Sequence, residues 1–167
     1  MKRALFIGRF QPFHNGHLHV AKSLSKIYDE MIIGIGSSQE KNTKDNPFSY
    51  NERKAMIKNT LINNKIKNFK IYQIPDLYDD YKWTDYILKK IPKFNVAYSG
   101  NEWTIRCFKK HKIRAQKIRL VKGLNSTKIR EMMAENRNWR RLVPREAVAY
   151  IGKIKGVERI RKIFKYR

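Results

Sequence analysis

The stretch Gly8-Arg9-Phe10-Gln11-Pro12-Phe13-His14-Asn15-Gly16-His17 decides the fold. It follows the apolar run Ala4-Leu5-Phe6-Ile7. It precedes residues 16–28, where Leu18, Ala21, Leu24, Ile27 and Tyr28 recur at helical spacing. A strand over 4–8, a glycine-bearing turn and a helix in this order open a strand–helix–strand unit. Three of the four histidines, His14, His17 and His19, fall within six residues. Backbone N–H groups at a helix start, the positive end of the helix dipole and two imidazoles at i, i+3 suit a polyphosphate. The competing readings are an ordinary imidazole pair at a helix start and a metal-binding pair. The second lacks the His-Glu-x-x-His pattern. His19 is read as solvated or packed on the helix, outside the site.

The pattern repeats outward. Met31-Ile32-Ile33-Gly34-Ile35-Gly36 is a short continuous apolar run, typical of a strand buried on both faces. Residues 37–48 form a polar loop, and Ser49 with Glu52 makes a capping box for a helix through about Leu61. Strands are expected at Phe69–Ile74, Asn95–Gly100 and Gln116–Val121. Helices are expected at Trp83–Lys90 and Glu102–Lys110. Ser126 stands as the N-cap of a helix to about Ala134, Pro144 suits a first helical position in 144–154, and Gly156 precedes a basic helix over 157–165. Strands alternating with helices predict an α/β fold: a Rossmann-like, doubly wound parallel sheet of about five strands with helices on both faces, plus C-terminal helices from about 126. Its ligand crevice belongs beyond the carboxyl ends of the strands, where the opening motif lies. The length of 167 residues fits one domain.

Composition narrows the class. No apolar run reaches membrane-spanning length, and Met1-Lys2-Arg3 leads into a strand without a signal-peptide core. Cys107 is the sole cysteine, which rules out an intrachain disulfide and a multi-cysteine zinc site. A soluble cytoplasmic protein is expected. The formal charge of +24 is uneven: residues 106–167 hold 21 Lys/Arg against 4 Asp/Glu. That excess suits an anionic partner, and compositional drift in a chain rich in Lys, Ile and Asn accounts for it equally well.

The opening motif is neither a Walker A loop nor a Gly-x-Gly-x-x-Gly fingerprint. Arg9 adds a fork of donors for a phosphate. A second constellation, Asn125-Ser126-Thr127-Lys128-Ile129-Arg130, places two hydroxyls at a helix start and an arginine one turn on. Alone it reads as a plain cap with an exposed arginine. Paired with the first motif, it reads as a second phosphate-facing helix end.

Together the two motifs resemble the nucleotidylyltransferase superfamily, and the form Gly8-Arg9-Phe10-Gln11-Pro12-Phe13-His14-x-Gly16-His17 is similar to its archaeal-type nicotinamide-nucleotide adenylyltransferases. Further resemblances lie in Ile33–Gln39, in Asn46-Pro47-Phe48 with Glu52-Arg53, in Tyr98–Asn101 and in Lys155–Arg159. The resemblance implies that His14 and His17 contact the ATP phosphates and stabilise the transition state at the α-phosphorus, with Arg130 as a third catalytic residue. It implies an ATP site of Gly8, Arg9, Phe10 and Gly16 from the first motif, with Asn125, Ser126 and Thr127 from the second. Phe13, Gln39, Trp83 and Asn101 are implied for nicotinamide mononucleotide (NMN), Trp83 stacking on the nicotinamide ring. A core tryptophan is the plainer reading of that residue.

The implied reaction joins ATP and NMN to give NAD and pyrophosphate. The attacking phosphate is already an anion, so alignment and charge neutralisation suffice. Mg²⁺ is expected to arrive with ATP and to need few protein ligands. The resemblance also implies a homo-oligomer, with a hexamer as one form. The chain departs from the family in Lys128, which replaces an acid, in Glu102-Trp103-Thr104 after Asn101, and in Lys41 and Lys44 where an arginine is expected. An adenylyl- or cytidylyltransferase with another acceptor (pantetheine phosphate, flavin mononucleotide) is the nearest alternative. A basic nucleic-acid-binding protein is the alternative of another class, without a recognised module to support it.

Overall fold

A computed structural model describes residues 1–120 and 123–165. Its centre is a five-stranded, wholly parallel sheet. Strand β1 (Arg3–Gly8) lies between β2 (Glu30–Ile35) and β4 (Val96–Ser99). The edges are β3 (Phe69–Gln73) and β5 (Ala115–Lys117), in the order β3-β2-β1-β4-β5. Helices α1 (Asn15–Ile27), α2 (Tyr50–Asn63), α3 (Asp80–Lys90) and α4 (Glu102–Lys110) connect the strands in turn. The expected doubly wound fold is the one observed. From β1 the chain moves to one side of the sheet, and α3 carries it back to β4 on the other. The neighbouring β1 and β4 ends therefore form the switch point, where loops diverge and leave a crevice.

Side-chain alternation divides the core. Ala4 and Phe6 point to one face, with Ala21 and Leu24 of α1 and Ile57 and Leu61 of α2. Leu5 and Ile7 point to the other, with Trp83 and Ile87 of α3 and Phe108 of α4. A third apolar cluster holds α5 (Ser126–Ala134), α6 (Arg145–Lys153) and α7 (Gly156–Lys165) against Phe48 and Met56. No helix among the described residues is long and apolar enough to cross a membrane.

Most boundaries fall within one or two residues of expectation, and four differences have a physical cause. Strand β5 is three residues long, because its partner β4 ends at Ser99 opposite Lys117 and the ladder has nothing further to pair with. Val121, expected within that strand, lies outside the described residues. Helix α3 starts at Asp80, three residues early, because the Asp79 carboxylate accepts the Lys82 N–H at 2.8 Å. Asn125, not Ser126, caps α5, its Oδ1 accepting the Lys128 N–H at 2.8 Å. Pro144 sits at the N-cap of α6 rather than inside it, after a short 3-10 turn at Arg140–Leu142.

Candidate active site

The opening motif leaves β1 through Gly8 and turns sharply at Phe10, whose φ of 53° lies in the left-handed region. Phe10 folds back beneath the strand end, where a Cβ on Gly8 would stand 3.0 Å from its ring. The buried Gln11 carboxamide then pairs with both backbone groups of Phe48, donating at 2.8 Å and accepting at 3.0 Å. This anchors the turn to the loop before α2.

His14 is the N-cap of α1, and the two histidines cap each other. The His17 N–H donates to His14 Nδ1 at 3.4 Å, and the His14 N–H donates to His17 Nδ1 at 3.2 Å. The rings stack with centroids 3.6 Å apart and planes 20° apart. A Cβ on Gly16 would stand 3.0 Å from the His14 ring and crowd it, so glycine leaves that ring room. Because each Nδ1 accepts, each neutral ring carries its proton on Nε2. Burial pushes His14 down to about 4. Burial, and then the neighbouring His14, hold His17 well below the usual histidine range. The Phe6, Phe10 and Phe13 rings surround His17, with centroids 6.2, 4.9 and 5.5 Å away. The two rings are therefore neutral near pH 7, each with an Nε2–H to donate.

Helix α5 brings the second motif to the same place. Ser126 Oγ donates to the Pro12 carbonyl at 3.1 Å, joining points 114 residues apart. The buried Arg130 donates from Nε to the Lys44 carbonyl at 2.9 Å and from Nη1 to the Gln11 carbonyl at 3.0 Å. Its Nη2 lies 3.2 Å from Asp45 Oδ1 and 3.3 Å from Thr127 Oγ1. Burial first, then the positive charge of Arg9, lowers the pKa of Arg130. Arg9 itself is exposed, with its side chain free of hydrogen bonds to the described residues. Two mutually repelling guanidinium groups at one cleft are stabilised by an anion between them.

Arg53, of the Glu52-Arg53 pair, organises the turns around the cleft. It is fully buried in α2 and donates to the carbonyls of Arg9 (2.8 Å), Gly36 (2.7 Å), Ser37 (3.0 Å) and Ser49 (3.3 Å). Burial, and then Arg9, push it down to about 10. One side chain thus ties the turns after β1 and β2 to α2. The adjacent Glu52 completes the Ser49 capping box and grips Arg159 of α7 with both oxygens, at 2.7 and 2.8 Å. The Glu52-Arg53 pair and the closing 155–159 segment are therefore fasteners for the site's walls.

Between these elements lies a cleft of about 360 Å³. Gly8, Arg9, Phe10, His14, His17 and Arg130 line it, with Asn125, Ser126 and Thr127. Trp83 and Asn101 also line it, although Trp83 is only 3% exposed and belongs equally to the core. Three expected residues stand outside the lining. Gly16 makes room for the His14 ring, Phe13 is buried under His17, and Gln39 Oε1 accepts the Asp76 N–H at 3.1 Å. Asp76 and Trp103 line the cleft and were not expected there. Asp76 is the one carboxylate among the described lining residues, and no group of three potential metal ligands occurs among the described residues.

Residues 5–145 match the cytidylyltransferase-like family. The chain is 40% identical over 167 residues to a nicotinamide-nucleotide adenylyltransferase of Saccharolobus solfataricus, covering 98% of this chain and 97% of that one. It is 38% identical over 168 residues to the enzyme of that name from Pyrococcus furiosus, covering 98% and 89%. The chain belongs to the nicotinamide-nucleotide adenylyltransferase family. Among solved structures, a bifunctional NMN adenylyltransferase/ADP ribose pyrophosphatase from Francisella tularensis, complexed with AMP and a Mn ion, superposes with a TM-score of 0.81 at 26% identity. The match covers 97% of this chain and 51% of that one, so the chain spans about half the length of the bifunctional protein.

The departures from the family pattern have definite places. The Lys44 ammonium lies over the Phe164 ring, 5.0 Å from its centroid, while its carbonyl is held by Arg130. Trp103, in the stretch that departs after Asn101, stands beside Trp83 with centroids 4.8 Å apart.

Proposed function

We infer that the chain transfers the adenylyl group of ATP to NMN, releasing NAD and pyrophosphate. A phosphate oxygen of NMN attacks the α-phosphorus, and the bond from that phosphorus to the departing pyrophosphate breaks. The observation that carries the reading is the reciprocal His14–His17 cap. It holds two neutral Nε2–H donors at the N-terminus of α1, facing a cleft also lined by Arg9 and Arg130. As negative charge shifts towards the bridging and equatorial oxygens, donors already in position stabilise it without reorganising. Neutral imidazoles leave room for the histidine pair to gain charge character as phosphate approaches, since an anion favours the protonated form.

The N-termini of α1 and α5 add two positive dipole ends to the cleft. Arg9, unengaged by the described residues, is the clamp for the triphosphate. Arg130 keeps the cleft floor in shape while presenting its charge there. Trp83 and Asn101 are assigned to the mononucleotide side. Phe13 supports His17 and Gln39 supports Asp76, so their proposed contribution to NMN binding is indirect.

A divalent cation, Mg²⁺ in this reading, would neutralise phosphate charge when bound with ATP. The single lining carboxylate, Asp76, fits a metal held by nucleotide phosphates and water rather than by a protein cage. A homo-oligomeric state is proposed on the family resemblance, and a cytoplasmic location on the composition of the chain. Incubation with ATP, Mg²⁺ and NMN should yield NAD and pyrophosphate in equal amounts. Product formed only when pantetheine phosphate or flavin mononucleotide replaces NMN would overturn the acceptor.

A further inference from the structure

The loop over 43–48 is held from two sides. Helix α7 holds one side, at the helix's start, middle and last turn. A Cβ on Gly156 would stand 2.9 Å from the Phe48 ring, so the helix start lies flush against the end of the loop. Arg159, half-buried in the middle of α7, donates from Nη1 to the Pro47 carbonyl at 3.2 Å. In the last turn, the Phe164 ring lies under the Lys44 ammonium, 5.0 Å from its centroid. Within the loop, the Thr43 N–H donates to the Asn46 carbonyl at 3.2 Å and the Asn46 N–H to Thr43 Oγ1 at 3.0 Å. The Pro47–Phe48 end is fixed by groups outside the loop.

The cleft holds the other side. Gln11 Oε1 accepts the Phe48 N–H at 3.0 Å. That N–H and the Pro47 carbonyl belong to one peptide group, which is planar and stiff. Arg159 and Gln11 thus hold opposite ends of a single rigid unit. The Gln11 carbonyl in turn accepts from Arg130 Nη1 at 3.0 Å, and the Lys44 carbonyl accepts from Arg130 Nε at 2.9 Å. Gln11 and Arg130 both line the cleft. Glu52 accepts from Nη1 and Nη2 of Arg159 at 2.7 and 2.8 Å, and this two-bond fork fixes the plane of the guanidinium. The second Nη1 hydrogen is thereby aimed at Pro47.

We propose that Arg159 is a positioning residue for the reaction, acting from outside the cleft through the Pro47–Phe48 peptide and Gln11 on Arg130. A shift of that peptide moves the Gln11 turn, which carries His14 three residues on. It also moves the two carbonyls that orient the Arg130 guanidinium. Trp83 and Asn101, assigned to the mononucleotide, are off this route, because α3 and the N-cap of α4 carry them across the sheet. The kinetic readout of this role rests on the proposed adenylyl transfer, whereas ATP binding reads it independently.

The test is a double-variant cycle of Arg159→Ala with Arg130→Ala, read by steady-state kinetics and by calorimetric binding of ATP and of NMN. All assays run well below each variant's melting temperature, so that turnover is counted per folded molecule. Arg159→Ala should lower kcat about tenfold, as expected for misaligned reacting groups, and weaken ATP binding. Its KM and binding constant for NMN should stay within about twofold of wild type. In the Arg130→Ala background, Arg159→Ala should cost less than about twofold more in kcat and in ATP affinity, because both changes act through one guanidinium. Arg159→Lys keeps the charge but not the fork, and should recover only part of the loss. If Arg159→Ala fails to fold, Arg159→Lys takes its place in the cycle. Unchanged kcat per folded molecule, equal weakening of NMN and ATP, or losses at 159 and 130 that simply multiply would overturn the positioning role. A wild type that binds ATP and NMN yet forms no NAD would overturn the adenylyl transfer, and the cycle in ATP affinity would still decide the role of Arg159.

Discussion

Two helix starts meet at this cleft, and they are built on opposite plans. At α1 the capping groups are the cleft-lining side chains themselves, since each imidazole caps with Nδ1 and keeps Nε2–H to donate. At α5 the tasks are divided. Asn125 caps, Ser126 ties the helix to Pro12, and Arg130 braces the backbones of Gln11 and Lys44. One region makes local structure and chemistry inseparable, and the other separates them among neighbouring residues. Substitutions should therefore have coupled effects at α1 and separable ones at α5.

The largest expected effect is at His14. His14→Ala should lower kcat by about 10²–10³-fold, as for loss of one preorganised donor. It should also cost about 1 kcal/mol of stability from the lost cap. His14→Ser breaks the coupling: its hydroxyl restores the cap but not the cleft-facing donor. Chemical denaturation should return towards wild type while turnover stays low. Recovery of turnover in the serine variant would refute the donor role.

Acidification examines the same pair. The His14 pKa is depressed to about 4 in the fold, so the unfolded chain takes up its proton first as pH falls. Stability should be full above about pH 6.5 and fall between there and about pH 4, with His14 contributing about 3 kcal/mol of that loss. His17 shifts in the same direction and adds to it. His14→Ser should flatten the dependence of melting temperature on pH across that window. An equally steep profile in the variant would show that other groups set it.

At α5, Arg130→Ala should lower turnover and also destabilise the chain by about 2 kcal/mol, because it strips buried donors from two carbonyls. Arg130→Lys should retain a positive charge without the planar fork, and so recover little of either loss. The smallest effect belongs to Asn125→Ala, at about 1 kcal/mol of stability with turnover within about tenfold of wild type. Asn125→Asp should restore the stability. A turnover loss at Asn125 matching that at His14 would erase the contrast between the two helix starts.

Sequence patterning reached far into this molecule because its fold depends on local rules. The apolar runs at 4–8 and 31–36 mark buried parallel strands, since such strands are covered on both faces. The Ser49–Glu52 capping box is visible because both partners lie within one turn. The α3 start is less legible, because the Asp79 cap is one of three aspartates in 76–80 while the apolar period begins only at Trp83. Arg53 went without a role because its partners, Arg9, Gly36 and Ser37, are backbone carbonyls, and any residue can supply one. Trp103 looked like a mere departure, since nothing in the local sequence reports that α3 and α4 lie side by side.

By itself the sequence determined the order of strands and helices, the two helix starts at the cleft and the family. Each follows from periodicity, capping chemistry and short motifs that act within a few residues. Only the tertiary structure decided that His14 and His17 hold each other's rings, that Arg130 is braced rather than free, that Lys44 lies against Phe164, and that two tryptophans 20 positions apart make one wall. Those facts depend on which distant groups the sheet's crossover brings within hydrogen-bonding or van der Waals distance. Contacts of that range leave no periodic trace in a chain.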